Sequence, residues 1–333
     1  ALINIISAML MGSIAGSALA SASAVGGILG SEMEKEGYSK EFSAAVNITS
    51  ATTGLIIPPS NILIVYSLAS GGVSVTALFL AGYIPGILTG LFLLIVAVIW
   101  SKKNNYKVGK RNSLYQVSIE FLRALPSLML LFIVVGGIII GVFTPTEASA
   151  IAVLYSLILS FIYKEISIES LPEVILKSIK TTSVVMLLIG ASMCMSWVLS
   201  FENIPQDISS FLINLSDNKI IILLMINLIL LFIGVFMDMT PAVLIFTPIF
   251  LPVVKSIGID PIQFGIIMVV NLCIGLCTPP VGSVLFVGVG IAKTSIEKVI
   301  KPLLPLFIAM ILALGLITYF PQITLWLPEK FGF

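Results

Sequence analysis

The chain has no histidine and little charge of either sign. Only 10% of its 333 residues are charged, against about 25% in an average soluble domain. Without histidine, the commonest transition-metal ligand and the commonest proton shuttle are missing. The 17 basic residues nearly balance the 16 acidic ones. This balance excludes the strongly basic surface of a nucleic-acid-binding protein, and no nucleic-acid partner is expected.

Cysteine is also scarce. The three cysteines, Cys194, Cys273 and Cys277, all lie in apolar stretches, and the last two are four positions apart. We interpret them as small buried residues rather than as a disulfide or a metal-binding pair.

Apolar residues are abundant: 58% of the chain is hydrophobic, and the mean hydropathy is +1.16. A water-soluble fold could not bury this much apolar surface, so the sequence predicts an all-α membrane protein with the lipid bilayer as solvent. Within the first apolar run, Leu93 is expected to face lipid. The uninterrupted runs predicted to span the membrane are residues 78–100, 122–143, 147–163, 181–200 and 303–320.

Four other apolar segments are interrupted. Residues 42–67 contain Ile-Ile-Pro-Pro-Ser, and residues 263–292 contain Cys-Thr-Pro-Pro-Val-Gly. A double proline removes backbone donors and ends a helix, which predicts two broken transmembrane helices. Residues 4–30 and 220–255 contain small or polar interruptions and are each too long for one simple helix. Both are predicted to form re-entrant helical hairpins.

The charges in the connections predict the topology. Residues 102–111 carry five basic residues and no acid, which places them in the cytoplasm by the positive-inside rule. Residues 201–219 are mainly acidic and are predicted to be external. Residues 164–180 mix both signs with apolar positions and are predicted to form an interfacial helix.

An internal repeat appears when the sequence is aligned with itself at a displacement of 221 residues. Counting the predicted spans gives the two copies opposite orientations, so that both hairpin tips approach the midplane. The predicted organisation is a first repeat over 1–100, a cytoplasmic loop with scaffold spans over 101–200, and a second, inverted repeat over 201–333. The displacement places Gly37 on Gly258, Gly54 on Gly275, Leu55 on Leu276, Pro58 on Pro279, Pro59 on Pro280, Ser74 on Ser295, and Ser17 on Asp238.

The hairpin tips and helix breaks are the candidate functional positions. Backbone carbonyls left unpaired there suit a hard cation such as sodium, and half-helix N-termini favour an anionic substrate group. The alternative is that small residues only allow close helix packing. We favour function for the two symmetric Pro-Pro breaks. The predicted sodium-binding residues are Ser13, Ser17, Thr53, Gly54, Pro58, Gly234, Asp238, Gly275, Thr278 and Gly282. The predicted substrate-binding residues are Ser17, Ser60, Asp238 and Thr240.

Asp238 is the most informative single residue. It is the only acid between Ile220 and Val254, and an intramembrane carboxylate is costly unless it has a function. The alternative is a helix cap satisfied by the amide of Thr240 and its neighbours. For Glu147, which follows Thr144-Pro145-Thr146, we favour the capping interpretation.

Several motifs resemble the signature of the large membrane subunit of TRAP (tripartite ATP-independent periplasmic) transporters over nearly the whole chain. In the first half these are Gly37-Tyr38, Phe42 and the run Gly-Leu-Ile-Ile-Pro-Pro-Ser at 54–60. In the second half they are Asp238, Thr240-Pro241, Pro248, Leu251-Pro252, Gly258-Ile259-Asp260-Pro261, Phe264-Gly265, Asn271, Thr278-Pro279-Pro280-Val281-Gly282 and Trp326-Leu327-Pro328.

The resemblance implies an elevator-type transporter in the bacterial inner membrane, with sodium held at the hairpin tips and breaks and no organic cofactor. It also implies two partners, a small membrane subunit and a periplasmic substrate-binding protein. The implied substrate is an organic acid such as a dicarboxylate or a sialic acid. No arginine in either motif region is available to hold a second carboxylate, which favours sialic acid.

The sequence departs from the family pattern at two places. The family subunit normally has further spans before the first hairpin, and this chain begins at Ala1 in an apolar run without an initiator Met. We therefore expect a longer polypeptide, to which the small subunit could also be fused. The first hairpin reads Gly27-Ile28-Leu29-Gly30-Ser31, where a proline is more usual after the glycine.

Three other functions compete with this interpretation. A stand-alone sodium–dicarboxylate symporter would share the hairpins and the proline breaks. An intramembrane enzyme is disfavoured because the sequence has no His-Glu-x-x-His motif, no paired intramembrane aspartate and no Ser–His pair. A purely structural scaffold would not need two symmetric breaks. The chain is therefore predicted to be a transporter and not an enzyme.

Overall fold

A computed structural model describes residues 1–106, 114–216 and 218–333, and helices are the only regular elements in these ranges. The chain forms two compact units: the first joins Ala1–Lys107 to Ala191–Phe333, and Val108–Gly190 forms the second. A short 3₁₀ turn at Ile168–Ser170 precedes the helix that begins at Leu171. The helices are α1 (Leu2–Ala15), α2 (Ala18–Lys35), α3 (Lys40–Thr53), α4 (Asn61–Ala69), α5 (Val75–Lys103), α6 (Leu114–Ile139), α7 (Pro145–Ile162), α8 (Leu171–Phe201), α9 (Ile204–Leu215), α10 (Lys219–Phe236), α11 (Met239–Ser256), α12 (Pro261–Gly275), α13 (Ser283–Ile291), α14 (Ile296–Tyr319) and α15 (Gln322–Lys330).

In the described ranges, seven helical segments are long and apolar enough to cross a membrane. Five of them, in α5, α6, α7, α8 and α14, coincide with the five predicted spans, which confirms an all-α membrane protein. The other two are α10 and α11, with 18 residues each. Helices α1 and α12 are apolar but shorter, at 14 and 15 residues.

The connections differ from the predictions at two places. Helix α8 is continuous over its 31 residues, so its first ten residues do not form a separate interfacial helix. The polar connection predicted over 201–219 contains helix α9. Residues 107–111 of the predicted cytoplasmic loop lie outside the described residues.

The expectation that Leu93 faces lipid is wrong, because its side chain is 0% exposed. Its neighbours Leu91 and Ile95 are each 49% exposed and form the outward face of α5. Helix α5 is apolar on all sides, so its sequence has no amphipathic period that marks the packed face.

Helices α1–α5 and α10–α14 follow the predicted displacement. The second helix of each set begins at Ala18 or Met239, and the fifth begins at Val75 or Ile296, in both cases 221 residues apart. Both sets interrupt the chain between their third and fourth helices, where a Pro-Pro bond is cis. Gly37 and Gly258 both have positive φ, at 91° and 75°. The two sets therefore begin their second and fifth helices at equivalent positions and share a positive-φ glycine between their second and third helices.

One end of the first unit, which we call the Lys102 end, contains the C-terminus of α5. The α2–α3 junction lies there, since the Tyr38 and Tyr106 rings are 4.4 Å apart and the Phe42 and Trp100 rings are 5.7 Å apart. The start of α14 lies at the same end, because the Thr294 hydroxyl is 3.5 Å from Glu41 Oε1.

The opposite end of the first unit contains the start of α5 and the end of α14. The Ser67 hydroxyl donates to the carbonyl of Val73, just before α5. The Tyr66 hydroxyl, one residue earlier, donates to the carbonyl of Pro261 at 2.6 Å. The α10–α11 pair opens there too, because Lys219 Nζ donates to the carbonyl of Gly258 at 3.3 Å.

Candidate functional site

The two interrupted helices meet at the centre of the first unit. Thr52 and Cys273, which are equivalent under the 221-residue displacement, touch each other, with Cys273 Sγ donating to the Thr52 carbonyl at 3.2 Å. Cys277 Sγ lies 3.4 Å from Thr52 Oγ1. If the two segments are copies related by a symmetry axis, as the sequence predicts, a contact between equivalent residues marks the position of that axis. Burial of Cys273 and Cys277 is confirmed, whereas Cys194 is exposed and the same interpretation was wrong for it.

The first break is fixed by a close approach of two glycines. A Cβ on Gly54 would lie 2.6 Å from the Cα of Gly12 and 2.8 Å from the carbonyl oxygen of Met9, so only glycine fits. Ser60 closes the break by donating its hydroxyl to the Leu55 carbonyl at 2.5 Å. Ser60 is buried, as are the other predicted residues at this break, Thr53, Gly54 and Pro58.

The second break repeats this arrangement. A Cβ on Gly275 would lie 2.6 Å from the Cα of Gly234. Gly282 faces two carbonyl oxygens. A Cβ added to it would lie 2.6 Å from the Leu276 oxygen and 2.8 Å from the Thr278 oxygen. The Thr278 hydroxyl donates to the Ile274 carbonyl at 2.7 Å. Both predicted glycine positions thus let backbone oxygens approach closely.

The turn between α1 and α2 and the turn between α10 and α11 differ in their capping. Gly16 has φ 59° and turns the chain into Ser17, whose hydroxyl accepts a 3.3 Å hydrogen bond from the amide of Ala20. Asp238 occupies the corresponding N-cap position of α11, but its side chain makes no capping hydrogen bond. Its carboxylate is exposed on this chain. The hydrogen bond on which the capping interpretation of Asp238 depends is therefore missing.

The predicted residues form two groups rather than one. Gly54 contacts α1, and Gly234 contacts Gly275 at the end of α12. Among the described residues, no hydrogen bond joins Ser17 to Asp238. The Ser13 hydroxyl donates within α1 to the Leu10 carbonyl at 2.8 Å, and Thr240 lies half-buried in the first turn of α11.

In the part of the chain that the structure describes, no three His, Cys, Asp or Glu side chains come together as a metal site. A cation held at the breaks would therefore rely mainly on carbonyl and hydroxyl oxygens, which are ligands for hard cations.

A buried amide network lies beside the second break; of its members, only Asn271 belongs to the motifs named from the sequence. Asn271 Nδ2 donates to Asn227 Oδ1 at 2.8 Å, and Asn227 Nδ2 donates to the Thr318 hydroxyl at 3.1 Å. Gln263 Nε2 donates to the Thr318 carbonyl at 3.1 Å. The network joins α10, α12 and α14. Its signal in the sequence is the amide side chains within the apolar helices α10 and α12, with Thr318 in α14.

In the second unit, the capping interpretation of Glu147 is confirmed. The Thr144 amide donates to Glu147 Oε2 at 2.8 Å, and the Glu147 amide donates to the Thr144 hydroxyl at 3.3 Å. These two reciprocal bonds form a capping box at the start of α7.

Comparison with known proteins gives relatives that match almost the whole chain. The chain is 59% identical over 329 residues to the uncharacterized protein YgiK of Salmonella typhimurium, covering 99% of this chain and 76% of the relative. It is 40% identical to the isethionate TRAP transporter permease protein DctMQ of Oleidesulfovibrio alaskensis, covering 98% and 52%. It is 38% identical to the C4-dicarboxylate TRAP transporter large permease protein DctM of Pseudomonas aeruginosa, covering 100% and 78%.

The family model for the DctM component of tripartite ATP-independent periplasmic transporters matches residues 1–323. Its members are transporter permeases and not enzymes. Together with the seven apolar helices, this match makes the chain a multi-pass protein of the inner membrane. The chain belongs to the TRAP transporter family as a large permease subunit.

Proposed function

We propose that the chain couples the entry of sodium to the uptake of an organic acid across the bacterial inner membrane. In this proposal the first unit contains two inverted repeats, each with a re-entrant hairpin and a Pro-Pro-broken transmembrane helix. Sodium binds at the hairpin tips and breaks, and the acid binds between them. The unit moves across the membrane as an elevator.

The positions of the helix ends support the inversion. The α1–α2 hairpin opens at the Lys102 end, because Asn4 Nδ2 lies 3.3 Å from Met33 Sδ and the α2–α3 junction contacts the end of α5. The α10–α11 pair opens at the opposite end, where Lys219 contacts Gly258. Two equivalent hairpins that open at opposite ends have the arrangement expected for alternating access.

The observation that carries the proposal is the meeting of the two breaks at Thr52 and Cys273 in a chain of this family. Interrupted backbone at membrane depth is stable only when it is buried in protein or lines a polar cavity. Here the first break is largely buried, and the second is buried at Gly275 and Gly282 but exposed at Pro280 and Val281. Close glycine contacts bring carbonyl oxygens of α1 and of the second break beside them. Such oxygens, with the Asp238 carboxylate, suit sodium.

The proposed partners are a small membrane subunit and a periplasmic substrate-binding protein, as the name of the family implies. Relatives are named for C4-dicarboxylates, isethionate and sialic acid, which are all organic acids. We propose sialic acid for this chain, since neither motif region contains an arginine that could pair with a second carboxylate.

Uptake into proteoliposomes tests the proposal. The full-length permease, with its small subunit, is reconstituted and supplied with the binding protein outside, and radiolabelled sialic acid and succinate are compared. We expect accumulation with an inward sodium gradient and none when choline replaces sodium. Undiminished uptake without sodium would contradict the coupling. Uptake that needs no binding protein would favour the stand-alone sodium–dicarboxylate symporter instead.

A further inference from the structure

The buried amide network beside the second break holds α10 against two other helices. Asn271 Nδ2 donates both to Asn227 Oδ1 and to the Asn227 backbone carbonyl, at 2.8 and 2.9 Å, which joins α12 to α10. Asn227 Nδ2 donates in turn to the Thr318 hydroxyl on α14. The next residue, Tyr319, donates its hydroxyl to the Ile220 carbonyl at the start of α10, at 3.2 Å. Helix α10 is therefore fixed at two points along its length.

The two asparagines lie on the same sides of their helices as the glycine contact at the second break. Asn227 precedes Gly234 by about two helical turns on α10. Asn271 precedes Gly275 by about one turn on α12. A Cβ on Gly275 would lie 2.8 Å from the carbonyl oxygen of Gly234. The approach of α10 to α12 therefore determines where this oxygen lies.

The side chains that join the three helices are almost completely buried. Asn227 is 6% exposed, Asn271 is 0% exposed and Thr318 is 1% exposed. A polar group in a membrane-spanning helix is costly to bury unless it has partners, and hydrogen bonds between helices supply them. A buried asparagine also fixes the register of the helices that it joins, because its amide has to face one particular partner. The asparagine pair thus defines the position of α10 on α12 more narrowly than apolar packing would.

The repeat architecture does not by itself require these amides. Under the 221-residue displacement, Asn227 and Asn271 correspond to Ile6 and Ser50 in the first repeat. Ile6 is 50% exposed, and the Ser50 hydroxyl donates within α3 to the Val46 carbonyl at 2.6 Å. Among the described residues, no side-chain hydrogen bond joins α1 to α3. The amide joint is specific to the second repeat, so the packing of the shared helices does not account for it.

We propose that Asn227 and Asn271 are positioning residues for a cation site at the second break. They set the distance between α10 and α12, and through it the positions of the oxygens of Gly234, Gly275 and Thr278 that would bind sodium. In this proposal neither asparagine side chain binds the cation itself. The assignment rests on the function proposed above, in which sodium binds at the breaks, and it adds which residues determine the affinity of one of these sites.

Sodium-dependent thermal stabilisation tests the assignment without a transported substrate. The full-length permease with its small subunit is purified in detergent, and its Tm is measured as sodium chloride replaces choline chloride at constant ionic strength. A cation that binds only the folded protein raises the Tm, and the titration midpoint reports its affinity. In the double variant Asn227→Leu, Asn271→Leu, both partners become apolar groups of similar size, so the fold should be kept. We expect the sodium midpoint to rise about tenfold to a hundredfold, as when outer-shell partners of a metal site are removed.

Gln263→Leu is the matched control. Its amide belongs to the same network and is 2% exposed, but it donates to the Thr318 carbonyl from the start of α12 and makes no hydrogen bond to α10. We expect this variant to lower the Tm in choline chloride, because a buried hydrogen bond is lost, and to leave the sodium midpoint unchanged. A purely structural role of the network predicts the same result for the asparagine pair.

The hydroxyl of Thr318 gives a second test, which does not depend on the folding of the double variant. Thr318→Val has nearly the same shape but lacks the hydroxyl that accepts from Asn227, and it leaves the asparagine pair in place. We expect its sodium midpoint to rise severalfold. Thr318→Ser keeps the hydroxyl and should have the wild-type midpoint.

The assignment is overturned if sodium does not stabilise the wild type, or if the asparagine pair and Thr318→Val keep the wild-type midpoint. An equal shift in Gln263→Leu would also overturn it, since the network would then act through stability alone. Stabilisation by sodium that the asparagine variants weaken, in a protein whose uptake needs no sodium, would leave the assignment intact and refute only the coupling proposed above.

Discussion

At the scale of single residues, the two glycine contacts determine how closely α1 and α10 approach the breaks. Gly54→Ala would place a methyl group 2.6 Å from the Cα of Gly12, and backbone on both sides prevents an easy adjustment. We expect a loss of stability of about 1–3 kcal/mol, typical of overpacking. Thermal unfolding of the purified protein measures it. Gly30→Ala is the control and should keep the wild-type Tm; an unchanged Tm for Gly54→Ala would refute the close contact.

Asp238 and Ser17 are the residues at which uptake should be most sensitive. The Asp238 carboxylate makes no capping bond, so Asp238→Ala should leave the fold intact while removing a ligand oxygen. We expect uptake affinity to fall roughly tenfold to a hundredfold for Asp238→Ala and for Ser17→Ala, the effect of losing about 1–3 kcal/mol. Asp207→Ala, an exposed acid on α9, is the matched control. Normal uptake by Asp238→Ala would remove this residue from the site, and loss of sodium binding would assign it to the cation site.

The burial of Leu93 shows that the sequence of α5 does not reveal which side of this helix packs against other helices. In a soluble helix, an alternation of polar and apolar positions marks the packed face. Every face of α5 is apolar, and the burial of Leu93 beside the exposed Leu91 and Ile95 follows from helices that lie far away in sequence. Asp238 could be identified from sequence because one charge in an apolar run is informative by itself.

At the scale of elements, Tyr66 joins the short helix α4 of one repeat to the start of α12 in the other. Its hydroxyl donates to the Pro261 carbonyl at 2.6 Å, and its ring fills the space beside Gly265. Tyr66→Phe keeps the ring and removes the hydrogen bond. We expect the stability to fall by about 0.5–1.5 kcal/mol, the usual net contribution of one hydrogen bond, because the Pro261 carbonyl at the start of α12 loses the donor that comes from α4.

The decrease should appear as a lower unfolding temperature of the detergent-solubilised protein. Tyr115→Phe is the control, because the Tyr115 side chain is 73% exposed. If both variants unfold at the wild-type temperature, the Tyr66 hydrogen bond contributes nothing to the joint between α4 and α12.

The elements themselves were largely predictable, for a physical reason. Proline and glycine restrict the backbone locally, so Gly37 and Gly258 could be paired from sequence and both have the same left-handed turn. Long apolar helices such as α5 can likewise be recognised from the sequence alone. Contacts between elements are not encoded locally: the amide network around Asn271 depends on the positions of α10 and α14 relative to α12. The continuous α8 was missed because a change from polar to apolar residues does not end a helix.

At the scale of the whole molecule, the proposed inversion of the two repeats makes a prediction about sidedness. Asn105 follows α5 at the Lys102 end, and Asn203 lies between α8 and α9. Both are exposed, so cysteines there would be accessible to reagents. The positive-inside rule places Asn105 in the cytoplasm, and the count of spans places Asn203 outside.

Single cysteines at these two positions should therefore react with a membrane-impermeant maleimide from opposite sides of the membrane. Only Cys194 needs to be replaced in the background, because Cys273 and Cys277 are buried between α3 and α12 and should not react. In intact spheroplasts we expect Asn203→Cys to label and Asn105→Cys to label only after the membrane is permeabilised. Labelling of both from outside would mean that an even number of crossings separates them. In that case the α1–α2 and α10–α11 pairs would enter the membrane from the same face. The contact between Thr52 and Cys273 would then not join two inverted repeats.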